Sequence, residues 1–143
     1  MGDGPVLTEL KREASELGVA DSVNFTGYKP RAELPQIYAD HDLFITASAM
    51  ETQGLVALEA IATGMPAIGV DAFALPELIQ HGRNGYIAPP HDIPAIAAAA
   101  VNLLKDQPVF ERFSKEAILV AADHSHDRCC DKLEKIYRKA RKP

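Results

Sequence analysis

Apolar residues along this chain alternate between a helical and a strand rhythm. Leu7, Leu10, Ala14 and Leu17 recur at helical spacing and stop at Gly18, so the Gly-rich turn "GDGP" leads into a helix. Ser22 to Gly27, "SVNFTG", reads as a short strand ending in a turn. "RAELPQIYADH" reads as a helix with Leu34, Ile37 and Tyr38 turned inward and Pro35 in its first turn, where a missing N–H costs little. Asp42 to Ser48, "DLFITAS", predicts a strand, "LVALEAIATG" a helix closed by Gly64, and "PAIGV" a continuously apolar, buried parallel strand. "LPELIQHG" then predicts a short helix and "GYIAP" a last short strand. Three helices follow. The first is capped by Asp92, and the second carries Phe110, Phe113, Ala117 and Val120 on one stripe. The third is capped by Ser125, with Cys129, Leu133, Ile136, Tyr137 and Ala140 expected to face inward.

Strand and helix thus take turns, which predicts an α/β fold: a Rossmann-like, doubly wound parallel sheet with helices on both faces. Four strands are few for such a sheet, and no strand precedes the opening Gly-rich turn. The expectation is a single domain, residues 1–143, that lacks its first βα units. The 143 residues are 47% hydrophobic, enough for one core, and the lack of Trp and scarcity of aromatics suit helices on a sheet better than a β-sandwich. No apolar run approaches the roughly 20 residues of a membrane span, and no signal peptide is expected from the opening residues. Cys129 and Cys130 are adjacent, which disfavours a bridge between them; reduced thiols and a cytoplasmic location are expected. The net charge of −5 divides unevenly, with +5 on residues 128–143 and −10 on the rest. A basic last helix suits an anionic lipid or nucleic-acid surface, but basic residues also suit any solvated helix C-terminus. His124 to His126, "HSH", is too little for a metal site, and no nucleophile triad is apparent.

The chemistry concentrates in "SAMETQGLVALEAIATGMP", from Ser48 to Pro66. In an open parallel sheet ligands sit beyond the carboxyl ends of the strands, which places Glu51 in the crevice after "DLFITAS". The next helix begins near Gly54, and its first N–H groups lack intrahelical partners and carry partial positive charge, a ready site for phosphate. Glycine there lets a ligand approach the backbone. Glu59, within the first two turns, offers two acceptor oxygens to a vicinal diol. Ribose diol, diphosphate and sugar hydroxyls occur in that order in a nucleotide-sugar. From spacing alone a second reading stays open: Glu51 as a carboxylate favoured by the helix dipole, and Glu59 as a solvated helix residue.

"GDGP", "VNFTG", "DLFITAS", Glu51-x7-Glu59, "EAIATGMP", "PEL" and "NGYIAPP" follow one another in the chain. As an ordered set they resemble the C-terminal, donor-binding domain of GT-B glycosyltransferases, in the large retaining family with the E-x7-E motif (group 1, or family 4, type). The resemblance implies a fragment of a longer two-domain enzyme whose N-terminal acceptor domain is missing. It implies that Glu51 acts at the reacting sugar by contacting its hydroxyls, that backbone at Gly54, Leu55 and Val56 meets the diphosphate, and that Glu59 takes the ribose hydroxyls. Gly27 and Tyr28 would lie against the nucleobase. Gln53, in "ETQGL", is similar to the glycolipid-forming glucosyltransferases of the family, so a UDP-glucose-like donor and a lipid or carbohydrate acceptor are implied. Peripheral membrane contact of the full-length enzyme would follow, with no nucleic-acid partner. Neither metal nor cofactor is implied.

The sequence departs from the family pattern in two places. Asp71-Ala72-Phe73-Ala74 stands where a Gly-Gly pair is frequent, and the Arg and Lys that neutralise the diphosphate would lie upstream of "GDGP". Two other classes of function remain: a nucleotide-binding module without catalysis, and a nucleotide-sugar 2-epimerase on the same fold. A phosphorylase would hold pyridoxal phosphate through a lysine, and there is none between Asp42 and Pro90. The fragment by itself is expected to bind donor weakly and to transfer nothing.

Overall fold

The computed structural model describes residues 3–141. The chain divides into two compact units, Met1–Ile37 and Tyr38–Pro143. In the first, α1 (Leu7–Glu16) ends as its sequence predicts: Leu17 N–H donates to Glu13 O, and Gly18 turns the chain at φ +69°. Its apolar stripe is only thinly used, because Ala14 is buried while Leu10 and Leu17 stay exposed. A 3-10 turn, Ala20–Ser22, and a second, Arg31–Glu33, flank an irregular run that turns at Gly27. α2 (Leu34–Ala39) follows with Pro35 in its first turn, and it carries the chain across the boundary between the units.

The strand expected at Ser22 to Gly27 is absent. Ser22 ends the 3-10 turn, and residues 23–30 make no ladder with any described strand. Alternating polarity shows only that one face can be buried; a strand also needs a partner edge, and here Val23 and Tyr28 remain exposed.

The second unit is built on three parallel strands in the order β1 (Phe44–Ile45), β2 (Ala67–Val70), β3 (Gly85–Ala88). Ile45 lies opposite Ile68, and Ile68 opposite Tyr86. Helix α3 (Leu55–Ala62) connects β1 to β2, and the short α4 (Leu75–Leu78) connects β2 to β3. All four residues of β2 are buried, as a central parallel strand requires. β1 is shorter than the run from Asp42 to Ser48 because the ladder ends with Thr46 N–H on Ile68 O.

Two long helices complete the packing. α5 (Ile93–Lys105) lies against β2 and β3, while α6 (Gln107–Asp123) lies against α3 and α5. The stripe on α6 is used as its spacing predicts: Phe113, Ala117 and Val120 are fully buried, and Phe113 meets Tyr86 with ring centroids 5.2 Å apart. The capping residues also act as expected. Asp92 accepts from Ala95 N–H at 3.0 Å, and Ser125 from Arg128 N–H at 3.5 Å. The helix after Ser125, α7 (His126–Ala140), departs from expectation. None of its described residues is buried, and Ile136 and Tyr137 of the supposed inward stripe are 61% and 66% exposed. Its amphipathic pattern is real, but no described element covers it. Cys129 and Cys130 are free thiols, also exposed.

Candidate functional site

The loop after β1 runs from Thr46 to Gly54 and ends at the start of α3. Gly54 holds φ +67°, ψ +23°, a left-handed conformation that glycine adopts without strain. A Cβ at this position would stand 2.5 Å from Leu78 Cδ1, so any other residue would push that buried side chain aside as well as strain the torsion. Gly54 O accepts the first bond of α3, from Leu58 N–H at 2.9 Å. The N–H groups of Leu55, Val56 and Ala57 therefore precede the intrahelical ladder, at the positive end of the helix dipole. Leu55 and Val56 are 55% and 43% exposed, so the turn is open there, whereas Gly54 and Ala57 are buried.

Glu51 is half-buried and folds back on this turn. Its Oε1 accepts from Gly54 N–H at 3.1 Å. One of the amides that the sequence assigns to an incoming diphosphate thus already holds a carboxylate, as an N-terminal helix amide favours. Glu51 O also accepts from Ala74 N–H at 3.2 Å, which ties this loop to the one that follows β2. That second loop carries Phe73 at φ +48°, an unfavourable torsion for a large side chain, and leaves the ring exposed. Gln53 is exposed between Glu51 and Gly54.

Glu59 lies five residues beyond Gly54, about 7.5 Å along the helix at 1.5 Å per residue. It is half-buried. Its Oε2 accepts from Tyr38 Oη at 3.3 Å, and the Tyr38 side chain is 7% exposed. Burial raises the Tyr38 phenol above its ordinary pKa of 10.0, and the charge of Glu59 and the hydrogen bond to it add to that. Nothing in the spacing of the sequence singles out Tyr38 as a partner of Glu59; its apolar periodicity marks it only as an inward residue of α2.

In the first unit, Tyr28 N–H donates to Asp3 Oδ1 at 3.1 Å, and Gly27 turns the chain at φ +64°. A Cβ on Gly27 would come within 2.8 Å of the same oxygen. Asp3 of "GDGP" is therefore the anchor of the Gly27–Tyr28 turn, a role that sequence reasoning missed because the pair is 25 residues apart. Tyr28 itself is 73% exposed. A groove lined by Gly4, Leu7, Leu10, Asn24, Phe25 and Gly27 runs beside this turn. Among the described residues no group of three or more His, Cys, Asp or Glu could hold a metal ion, and no helix is long and apolar enough to cross a membrane.

Known proteins resemble this chain in sequence and in fold. The N-acetyl-alpha-D-glucosaminyl L-malate synthase of Bacillus anthracis is 35% identical over 117 residues, covering 82% of this chain and 30% of that protein. The fold is that of sucrose-phosphate synthase from Thermosynechococcus elongatus, with a TM-score of 0.85 and 24% identity over 97% of this chain and 37% of that one. The structure of Anabaena HepE in complex with UDP-glucose matches with a TM-score of 0.76 and 27% identity, covering 82% of this chain and 32% of HepE. The chain thus spans about a third of the length of the relatives it matches. The sequence profile of "Glycosyl transferases group 1" matches residues 1–120, and the chain belongs to that family, as a GT-B C-terminal domain.

Proposed function

We propose that this chain is the donor-binding part of a retaining glycosyltransferase that uses a nucleotide-diphosphate sugar, UDP-glucose or a close analogue, and transfers the sugar to a lipid or carbohydrate acceptor. One observation carries the reading: the start of α3, where Leu55 and Val56 are exposed and their amides precede the first intrahelical bond, between Glu51 on the preceding loop and Glu59 on the second turn. The diphosphate docks on those amides, and the positive end of α3 stabilises the charge that grows on it as the glycosidic bond breaks. Glu59 takes the ribose hydroxyls. Glu51 exchanges its bond to Gly54 for the hydroxyls of the donor sugar, with Gln53 beside it. The UDP-glucose bound to Anabaena HepE favours this donor. The acceptor side belongs to a separate N-terminal domain, so residues 1–143 bind donor and transfer nothing.

Titration calorimetry with UDP, GDP and UDP-glucose tests the reading. Glu59→Ala lowers UDP affinity about ten- to a hundred-fold, the ~1.5–3 kcal/mol of a charge-assisted hydrogen bond. Glu51→Ala spares UDP and weakens UDP-glucose. Equal losses for the two ligands, or an unchanged Glu59→Ala, would falsify the assignment. Transfer is tested by joining an acceptor domain to the chain and following UDP release: release above the rate of the chain alone is expected, and its absence speaks for a binding module.

A further inference from the structure

We infer that Tyr38 is a positioning residue for donor recognition: its buried hydroxyl fixes the Glu59 carboxylate so that it discriminates a ribose diol from a deoxygenated sugar. The inference rests on the reading of Glu59 as the ribose ligand. A glutamate side chain on an open helix turn samples many rotamers, and gripping two vicinal hydroxyls at once requires one plane of the carboxylate. Tyr38 supplies that constraint. It is the first residue of the second unit, set near the end of α2, and its side chain is 7% exposed. Its ring cannot swing away without opening a buried site. Its O–H reaches Glu59 Oε2 at 3.3 Å across 21 residues of sequence. An ionised carboxylate only accepts, so the phenol is the donor in this bond. Burial, then the charge of Glu59, then the bond itself keep the phenol protonated well past neutral pH, so the donor is always present. The bond to Tyr38 engages Oε2 through one lone pair, and a carboxylate has acceptor capacity beyond it.

The experiment compares UDP with 2′,3′-dideoxy-UDP by calorimetry on the full chain, in wild type, Tyr38→Phe, Glu59→Ala and the double variant. Tyr38→Phe keeps the ring and removes only the hydroxyl, and its melting curve is recorded alongside. The expected result is a three- to ten-fold loss of UDP affinity in Tyr38→Phe, little change for the dideoxy ligand, and no further loss when Tyr38→Phe is added to Glu59→Ala. Equal weakening of both ligands, or no weakening of either, overturns the positioning role while leaving Glu59 in place. A wild-type chain that does not prefer UDP to its dideoxy analogue, or a Glu59→Ala chain that still does, removes the ribose reading and the inference with it. A Tyr38→Phe chain that melts much earlier yet retains the wild-type ratio between the two ligands shows a structural role only, and overturns the inference as well.

Discussion

At the scale of single residues, the site is defined by torsion and by hydrogen bonding. Gly54 is where the chain must turn left-handed beneath Leu78, and Glu51 and Glu59 each accept a hydrogen bond within 3.3 Å, from Gly54 N–H and Tyr38 Oη. Tyr38 makes a pH prediction possible. Its phenol titrates higher in the folded chain than its ordinary value of 10.0, so the unfolded chain gives up that proton first. The contribution to stability is complete below the unfolded pKa and is lost as pH rises through the folded one. The urea midpoint of the wild type is therefore expected to fall more steeply than that of Tyr38→Phe as pH rises past 10.0. Parallel curves for the two proteins would show that the phenol does not titrate abnormally.

At the scale of elements, stability comes from caps and stripes that are local in sequence. Asp92 closes the first turn of α5 through Ala95 N–H, and Asp92→Ala is expected to cost about 1 kcal/mol, read from the shift in denaturation midpoint. A loss indistinguishable from zero would mean that packing alone sets the start of α5. Such features were legible from the sequence because their signals lie within a few residues: the Asp92 and Ser125 caps, the stop at Gly18, and the Phe113–Ala117–Val120 stripe all stand as the pattern predicts. What failed was of longer range. "SVNFTG" has the alternation of a strand but no described partner edge, and α7 has an amphipathic stripe but no described neighbour to bury it. The site divides along the same line. Gly54, Glu51 and Glu59 could be picked out in the sequence as candidates, with their roles implied by the ordered motifs, whereas Asp3 and Tyr38, 25 and 21 residues from their partners, could be found only once the chain was folded.

At the scale of the whole molecule, the two units differ in how much they bury. Ala14 is the only buried residue among 3–37, while the second unit encloses Ile61, Ile68, Leu75, Leu103 and Phe113. Local opening costs little where few apolar contacts must break. Hydrogen exchange should therefore be fast across α1 and slowest in β2, whose strand is buried at all four positions and bonded on both sides. Protection of α1 equal to that of β2 would contradict this ordering.

The bond between Glu51 and Gly54 has one more consequence. A helix start that already hosts its own carboxylate is a poor trap for stray inorganic anions, since any newcomer meets a resident negative charge 3.1 Å from the first amide. The proposed donor has a ribose and a base to hold on by; a bare phosphate or sulfate ion has neither.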